Sequence, residues 1–423
     1  MQILAVPYAI ALVAAAGLCQ LLPAGLRPLL LALLSLGVYA LFGGWQALII
    51  VGLLLAVFGL AQAIARTSRT SPTAQTPPWP RLLTGLGIAL CIGVLAYFKY
   101  AGFLAQAARE LVALLPHRAT APPAEPTAAA VRGLAVPLGI SFFTFEFVHF
   151  LVDVYRRQIS PLPADAPPRQ RCAEFVHFAA FALFFPTLLA GPIKRYQTFA
   201  EGGPASREDL AYGLGRMLIG LCKKLILADS VAPFALRLWV PDQTSPLGLW
   251  LAMYAYAAQI YFDFSGYSDL AIGAARLLGY RVPENFDWPY LAPDLPTFWR
   301  RWHISLSSWI RDYLYIPLGG NRGGSPRVSV NLIVVMALCG LWHGPAWHFV
   351  VWGLWHGLGL AVTRLWRGGE RRTTDPGVAP SRLRAIVARL ATFHFVCFGW
   401  LWFAAPSVEI ALRCLLRMLR LAP

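Results

Sequence analysis

The sequence predicts an all-α polytopic membrane protein, and three observations carry that prediction. Only 13% of the 423 residues are charged while 57% are hydrophobic, whereas an ordinary soluble domain is about 25% charged and about 45–50% apolar. Mean hydropathy is +0.57. Apolar runs close to the ~20 residues that a spanning helix needs recur along the whole chain, and the short alternating segments of a membrane β-barrel do not. The runs add up to roughly 10–12 membrane helices, with short re-entrant or interfacial helices between them.

The first runs lie near 3–22, 28–42 and 46–65. No basic segment precedes 3–22, so it reads as a first membrane helix rather than a cleaved leader. The loop RTSRTSPTAQTPPWPR (66–81) has three Arg, four Pro and no acid, which places it in the cytoplasm. The run 82–106 crosses back, 107–133 mixes Arg with Glu, and 135–155 returns. RRQISPLPADAPPRQR (156–171) then has four Arg against one Asp. Alternation and charge bias agree through these spans and put the N-terminus outside. Further runs lie near 175–190, 211–239, 246–264, 328–344, 347–366 and 390–405. The loop 364–389, with seven Arg against Glu370 and Asp375, is again cytoplasmic, and 408–421 forms a basic amphipathic end. Residues 265–327 are too polar and too rich in Pro and Gly for a simple span. Short, tilted or re-entrant helices are expected there, because such backbone persists at membrane depth only when enclosed by protein or lining a wet cavity.

The formal charge of +16 does not point to nucleic acid, because the Arg residues sit in loops beside apolar runs. The seven cysteines are dispersed without a CxxC pair, so neither a disulfide framework nor a zinc site is indicated. No metal site is expected.

Four segments concentrate polar chemistry. FWRRWHISLSSWIRDYLYIPLGG (298–320) gathers three Trp, Arg300, Arg301, Arg311, Asp312 and His303, and its closing glycines, Gly319 and Gly320, end the helix and let the backbone turn tightly. On a continuous helical wheel at about 100° per residue, Trp299, Trp302, Leu306, Trp309, Ile310 and Tyr313 form one arc. Interfacial aromatic belts share that pattern, and His303 at the edge of the arc is the residue it does not explain. LCGLWHGPAWHFVVWGLWHG (338–357) ends an apolar run with His343, His348 and His356. Their spacings place them on different helical faces, with no acidic or Cys ligand nearby, so a metal reading fails. Pro345 breaks the helix just after His343. His348 and His356 read as structural, and His343, beside Trp342, as the candidate for function. YFDFSGYSDLAIGAARLLGY (261–280) carries Asp263 and Asp269, which should pair with cations as architecture or site support. FFPTLLAGPIKRYQTF (184–199) ends an apolar run with Lys194 and Arg195, as a half-membrane element or a snorkelling anchor.

These blocks, together with PLGISFFTFEFVHFLVDVYR, stand in one order over about 137–357. In that order they resemble the membrane-bound O-acyltransferase family, in particular its bacterial branch of alginate O-acetylation and teichoic-acid D-alanylation. LWFAAPS (401–407) departs from the family's WFFRAPS-like block in lacking its Arg. The resemblance implies a helical bundle around a central funnel or tunnel. It implies N-terminal membrane helices over 1–134, a catalytic core over 135–366, and a basic cytoplasmic loop with C-terminal helices over 367–423. It implies that His343 is the catalytic histidine and His303 the second one. Histidine titrates near 6.5 in ordinary surroundings, so a neutral base is available at cytoplasmic pH. Trp299, Trp302, Trp309, Tyr313 and Trp342 would line the tunnel, with Asp263 and Asp312 supporting it. Arg300, Arg311 and Lys194 are candidates to meet the phosphates of the donor. No bound cofactor is expected; acetyl-CoA or another acyl thioester is the donor substrate. The implied setting is the cell inner membrane. The implied partners are a periplasmic or surface transferase of the SGNH type and polysaccharide synthase and export proteins. The rival from another class is a transporter or flippase for a glycan or lipid-linked intermediate, which would use intramembrane His, Asp and Arg as well.

Overall fold

Apolar runs punctuated by Pro and Gly fold into helices throughout this computed structural model, which describes residues 6–69, 78–113, 136–163, 165–322, 324–370 and 381–422. Among these residues there is no strand; the one extended pairing is an isolated antiparallel bridge between Phe286 and Trp302. Five helices are long and apolar enough to cross a membrane, over Ala24–Gly43, Gln46–Ser68, Trp79–Val112, Ser325–His343 and Arg382–Ala404. The centres of two loops read as cytoplasmic, 70–77 and 371–380, lie outside the described residues, as does most of the loop 107–133. The chain divides into two compact units, Met1–Leu214 with Gly273–Val282, and Gly215–Ile272 with Pro283–Pro423.

The first unit is built from α1 (Val6–Leu21), α2 (Arg27–Gly43), α3 (Gln46–Arg69) and α4 (Trp79–Leu95). α4 passes through a π-helical turn into α5 (Ala101–Ala113). Then come α6 (Ile140–Tyr155), α7 (Pro168–Leu183), the single-turn α8 (Tyr196–Ala200) and most of α9 (Arg207–Leu221). Pro28 and Pro80 lie in the first turns of α2 and α4, where a missing N–H costs no helical bond. α6 is apolar on nearly all sides and packs against α3 and α4, so it is the buried centre of this unit. Its exceptions are Glu146, His149 and Asp153, all buried. Glu146 Oε1 meets Lys194 Nζ at 2.5 Å, and Asp153 accepts from Gln197 at 2.9 Å.

The second unit contains α10 (Asp229–Ala235), most of α11 (Pro246–Leu277), α12 (Leu295–Arg301) and α13 (Ile304–Ile310). Its C-terminal part is α14 (Ser325–His343), α15 (Trp347–Glu370), α16 (Arg382–Ala404) and α17 (Val408–Met418). Two sequence expectations are corrected here. Residues 265–277 do not break into short pieces; they continue the helix that starts at Pro246. The reason is charge pairing. Asp269 meets Arg216 Nε at 2.6 Å and Lys223 Nζ at 2.7 Å, and Asp263 meets Lys224 Nζ at 2.6 Å. With each carboxylate neutralised by a partner, a polar helix can stay packed in the unit. The break expected across this region begins only after Leu277.

The second correction concerns 299–313, which is not one helix. α12 ends at Arg301, Trp302 is extended, His303 turns left-handed, and α13 starts at Ile304. Hydrogen bonds from another segment drive the break. Arg301 O accepts from Asp287 N at 3.0 Å, and Ile304 N donates to Asn285 O at 3.0 Å. Further on, Gly319 and Gly320 take positive φ at the end of the segment, as the sequence anticipates.

α14 and α15 form an antiparallel hairpin across Gly344-Pro345-Ala346, the break expected at Pro345. Glycines set how closely they pack. A Cβ on Gly353 would lie 2.2 Å from Met336 O, and one on Gly340 would lie 2.1 Å from Phe349 O. Small residues at a helix crossing are the usual means of close packing in membranes.

Candidate active site

His343 is the last residue of α14. The chain leaves the helix there because Gly344 is extended and Pro345 follows. The half-buried imidazole stands among rings: Trp342 at 4.8 Å, Phe403 at 5.0 Å and Trp352 at 5.1 Å, the last at right angles.

His303 owes its position to Asn285. With φ 44° and ψ 55° it is in the left-handed region, which costs a non-glycine residue about 1–2 kcal/mol and persists where surroundings over-determine it. Asn285 supplies the constraint from a buried position. Its Oδ1 accepts from Ser305 N at 3.2 Å and from Ser305 Oγ at 2.7 Å, while its Nδ2 donates to Ser268 Oγ at 3.3 Å. The His303 side chain is buried and lies edge-on to Phe264 at 4.7 Å. Its Nδ1 has no hydrogen-bond partner among the described residues. His303 sits between α12 and α13, outside the five long apolar helices. Burial, and after it the nearby His343, hold its imidazole well below the usual histidine value.

A continuous aromatic wall joins them. Trp302 packs on Trp400 at 4.9 Å and on Phe298 at 5.7 Å. Trp400 meets Phe403 at 5.6 Å and Trp352 at 6.0 Å, and both of those reach His343. Trp299 contacts Trp352 at 5.8 Å. Of the residues singled out in the sequence, the structure gathers His343, His303, Trp299, Trp302 and Trp342 here.

The others make different contacts. Trp309 and Tyr313 pack on each other at 5.3 Å. Arg300 is exposed and donates to Thr297 Oγ1 at 2.7 Å. Arg311 pairs with its neighbour Asp312 at 2.8 Å, and Asp263 with Lys224. Lys194 belongs to the first unit, where it is 1% exposed, paired with Glu146, and 4.9 Å above the Phe181 ring. Its charge is already matched, so a phosphate would have to displace Glu146. Sequence reasoning set His356 aside and did not name Trp352, yet both belong to this wall. The available signal was a second copy of GLWHG at 353–357. Among the described residues no three His, Cys, Asp or Glu side chains converge on a metal site.

The sequence matches the membrane-bound O-acyltransferase family over residues 169–401, a stretch that includes both histidines and the aromatic wall apart from Phe403. It is 38% identical over 404 residues to a probable alginate O-acetylase of Azotobacter vinelandii, covering 94% of this chain and 73% of that protein. It is 34% identical over 417 residues to a peptidoglycan O-acetyltransferase of Helicobacter pylori, covering 92% and 73%. With a teichoic acid D-alanyltransferase of Bacillus subtilis it shares 32% identity over 281 residues, covering 63% and 68%. The chain belongs to the membrane-bound O-acyltransferase family and is an O-acyltransferase of a membrane.

Proposed function

We propose that the protein takes an acetyl group from a cytoplasmic thioester, acetyl-CoA, and passes it across the cell inner membrane for O-acetylation of an extracytoplasmic polysaccharide such as alginate. One observation carries the reading. A histidine ends a membrane-length helix at a proline break and stands in an aromatic wall whose rings lead on, through Trp302, Phe286 and Phe264, to a second, buried histidine. Supporting it, the chain matches proteins named alginate O-acetylase and peptidoglycan O-acetyltransferase over 94% and 92% of its length.

In this reading His343 is the general base. It removes the proton of an acceptor hydroxyl as that oxygen attacks the thioester carbonyl, and returns the proton to the departing thiolate. His303, uncharged and held by the Asn285 turn, orients the acceptor. The Trp and Phe side chains around the two keep water from the thioester. Export of the acetyl group through this chain calls for a glycan-facing transferase of the SGNH type to complete delivery, beside the synthase and export proteins that make the polysaccharide.

The test uses membranes that carry the protein, a glycan-facing transferase of the SGNH type and polysaccharide. With labelled acetyl-CoA, alkali-labile label should enter the polysaccharide, and His343→Ala should abolish its entry at matched protein level. Undiminished labelling by that variant contradicts the reading.

A further inference from the structure

GLWHG occurs at 340–344 and again at 353–357, and the α14–α15 hairpin packs the two copies against each other, with a Cβ on Gly340 only 3.1 Å from Gly353 Cα. The histidine of the second copy, His356, is 0% exposed. Neither of its ring nitrogens meets a hydrogen-bond partner among the described residues. A neutral imidazole carries one N–H donor and one acceptor, so both go unused inside an aromatic wall. Two further orphans adjoin it. The indole nitrogens of Trp299 and Trp352 are buried and also lack a partner among the described residues. The Trp299 ring lies 5.1 Å and the Trp352 ring 5.0 Å from that of His356.

Buried polar groups are nearly always satisfied, and leaving several unmade in one place is costly. The composition of this cluster states what would satisfy it. Indole N–H groups only donate, so donors outnumber acceptors by three to one. The rings that surround His356 are Phe298, Trp299, Trp352, Phe395 and Trp400, none of which bears a carboxylate. The matching guest carries an acceptor oxygen. Trp352 also links the cluster to the candidate base, meeting the His343 ring at 5.1 Å.

We infer that Trp299, Trp352 and His356 form the pocket that receives the carbonyl oxygen of the transferred acyl group. The inference rests on the acyl-transfer reading of His343. When the acceptor oxygen bonds to the carbonyl carbon, the C=O electron pair moves onto the carbonyl oxygen. Indole and imidazole N–H donors stabilise that negative charge in a site shielded from water. The pair then returns, the C–S bond breaks, and the proton held by His343 goes to the thiolate. His356 is thus assigned to binding rather than to packing alone.

The pocket is tested with the full-length protein in nanodiscs, acetyl-CoA as the probe donor, and the rate of free thiol release in the presence of acetyl acceptor. Trp352→Phe and Trp299→Phe each remove one donor. Because Phe also leaves a cavity, each Trp is in parallel replaced by 3-benzothienylalanine, which keeps the ring shape and loses only the N–H. The expected result for both isosteres is a fall in kcat of about 100-fold, the scale of losing one oxyanion donor, with KM for acetyl-CoA changed less than threefold. Their melting temperature stays at or above that of the parent protein, since taking away an unpartnered buried donor removes a cost to the fold and no contact. Isosteres that keep the parent kcat while His343→Ala is inactive overturn the pocket and leave the acyl-transfer reading standing. Isosteres that melt early or do not fold show that the N–H groups serve the fold, and overturn it too. If His343→Ala itself keeps the parent rate, the acyl-transfer reading fails and the pocket fails with it.

Discussion

Ser305 donates twice to Asn285 Oδ1, from its backbone N at 3.2 Å and from its hydroxyl at 2.7 Å. This pairing closes the turn in which His303 adopts its left-handed conformation. Asn285→Ala leaves two buried donors unmade, a loss of about 1–3 kcal/mol. It also frees His303 to relax from φ 44°. Acyl transfer should therefore fall further than stability does, and Asn285→Asp, which keeps the acceptor oxygen, should recover most of it. Rates and melting temperatures of the two variants check this; equal losses of rate in both would speak against a positioning role.

The Lys194–Glu146 pair should behave as an internal ion pair of the first unit. Lys194→Met strands a buried carboxylate and should cost about 3–5 kcal/mol, whereas adding Glu146→Gln should restore most of the loss. Thermal unfolding of the single and double variants decides it. A double variant no more stable than the single one contradicts the account.

Close packing of the α14–α15 hairpin predicts that Gly353→Ala is damaging. The added carbon would lie 2.2 Å from Met336 O and 2.9 Å from Ala337 Cα, both backbone atoms. Overpacking of this kind costs about 1–3 kcal/mol or more, and at this site it also moves His343. Gly52→Ala in α3, where nothing lies within 4 Å of the new carbon, is the control and should be neutral or stabilising. Folded yield and melting temperature distinguish them.

Stability should depend on pH through His303. Its imidazole is held well below the usual value by burial and by His343. Above about pH 6.5 both folded and unfolded chains leave it neutral, and there is no effect. As pH falls below that point the unfolded chain binds a proton that the folded chain refuses, so stability drops. Melting temperature should fall between pH 7 and pH 5, and His303→Gln should flatten that fall. An equal slope in the variant assigns the effect to other groups.

The sequence carried some of this architecture plainly and hid the rest for physical reasons. The break at Pro345 was legible because proline acts on its own helix. So was the turn at Gly319 and Gly320, where glycine alone takes positive φ freely. The break at Trp302–His303 was not. Periodicity placed 299–313 on one wheel, and what interrupts the helix is Asn285 and Asp287, brought in by the fold. The continuation of α11 beyond residue 264, past Asp269, was hidden for the same reason, since the cations that neutralise Asp269 belong to another segment. Lys194 looked available because its partner Glu146 lies 48 positions away.

Whether His343 is the base for acyl transfer is decided by label transfer from acetyl-CoA with the His343→Ala protein at matched level. The expected loss is about 100- to 10,000-fold, the range attributed to a positioned general base, with folding unchanged. Transfer at the parent rate would contradict it.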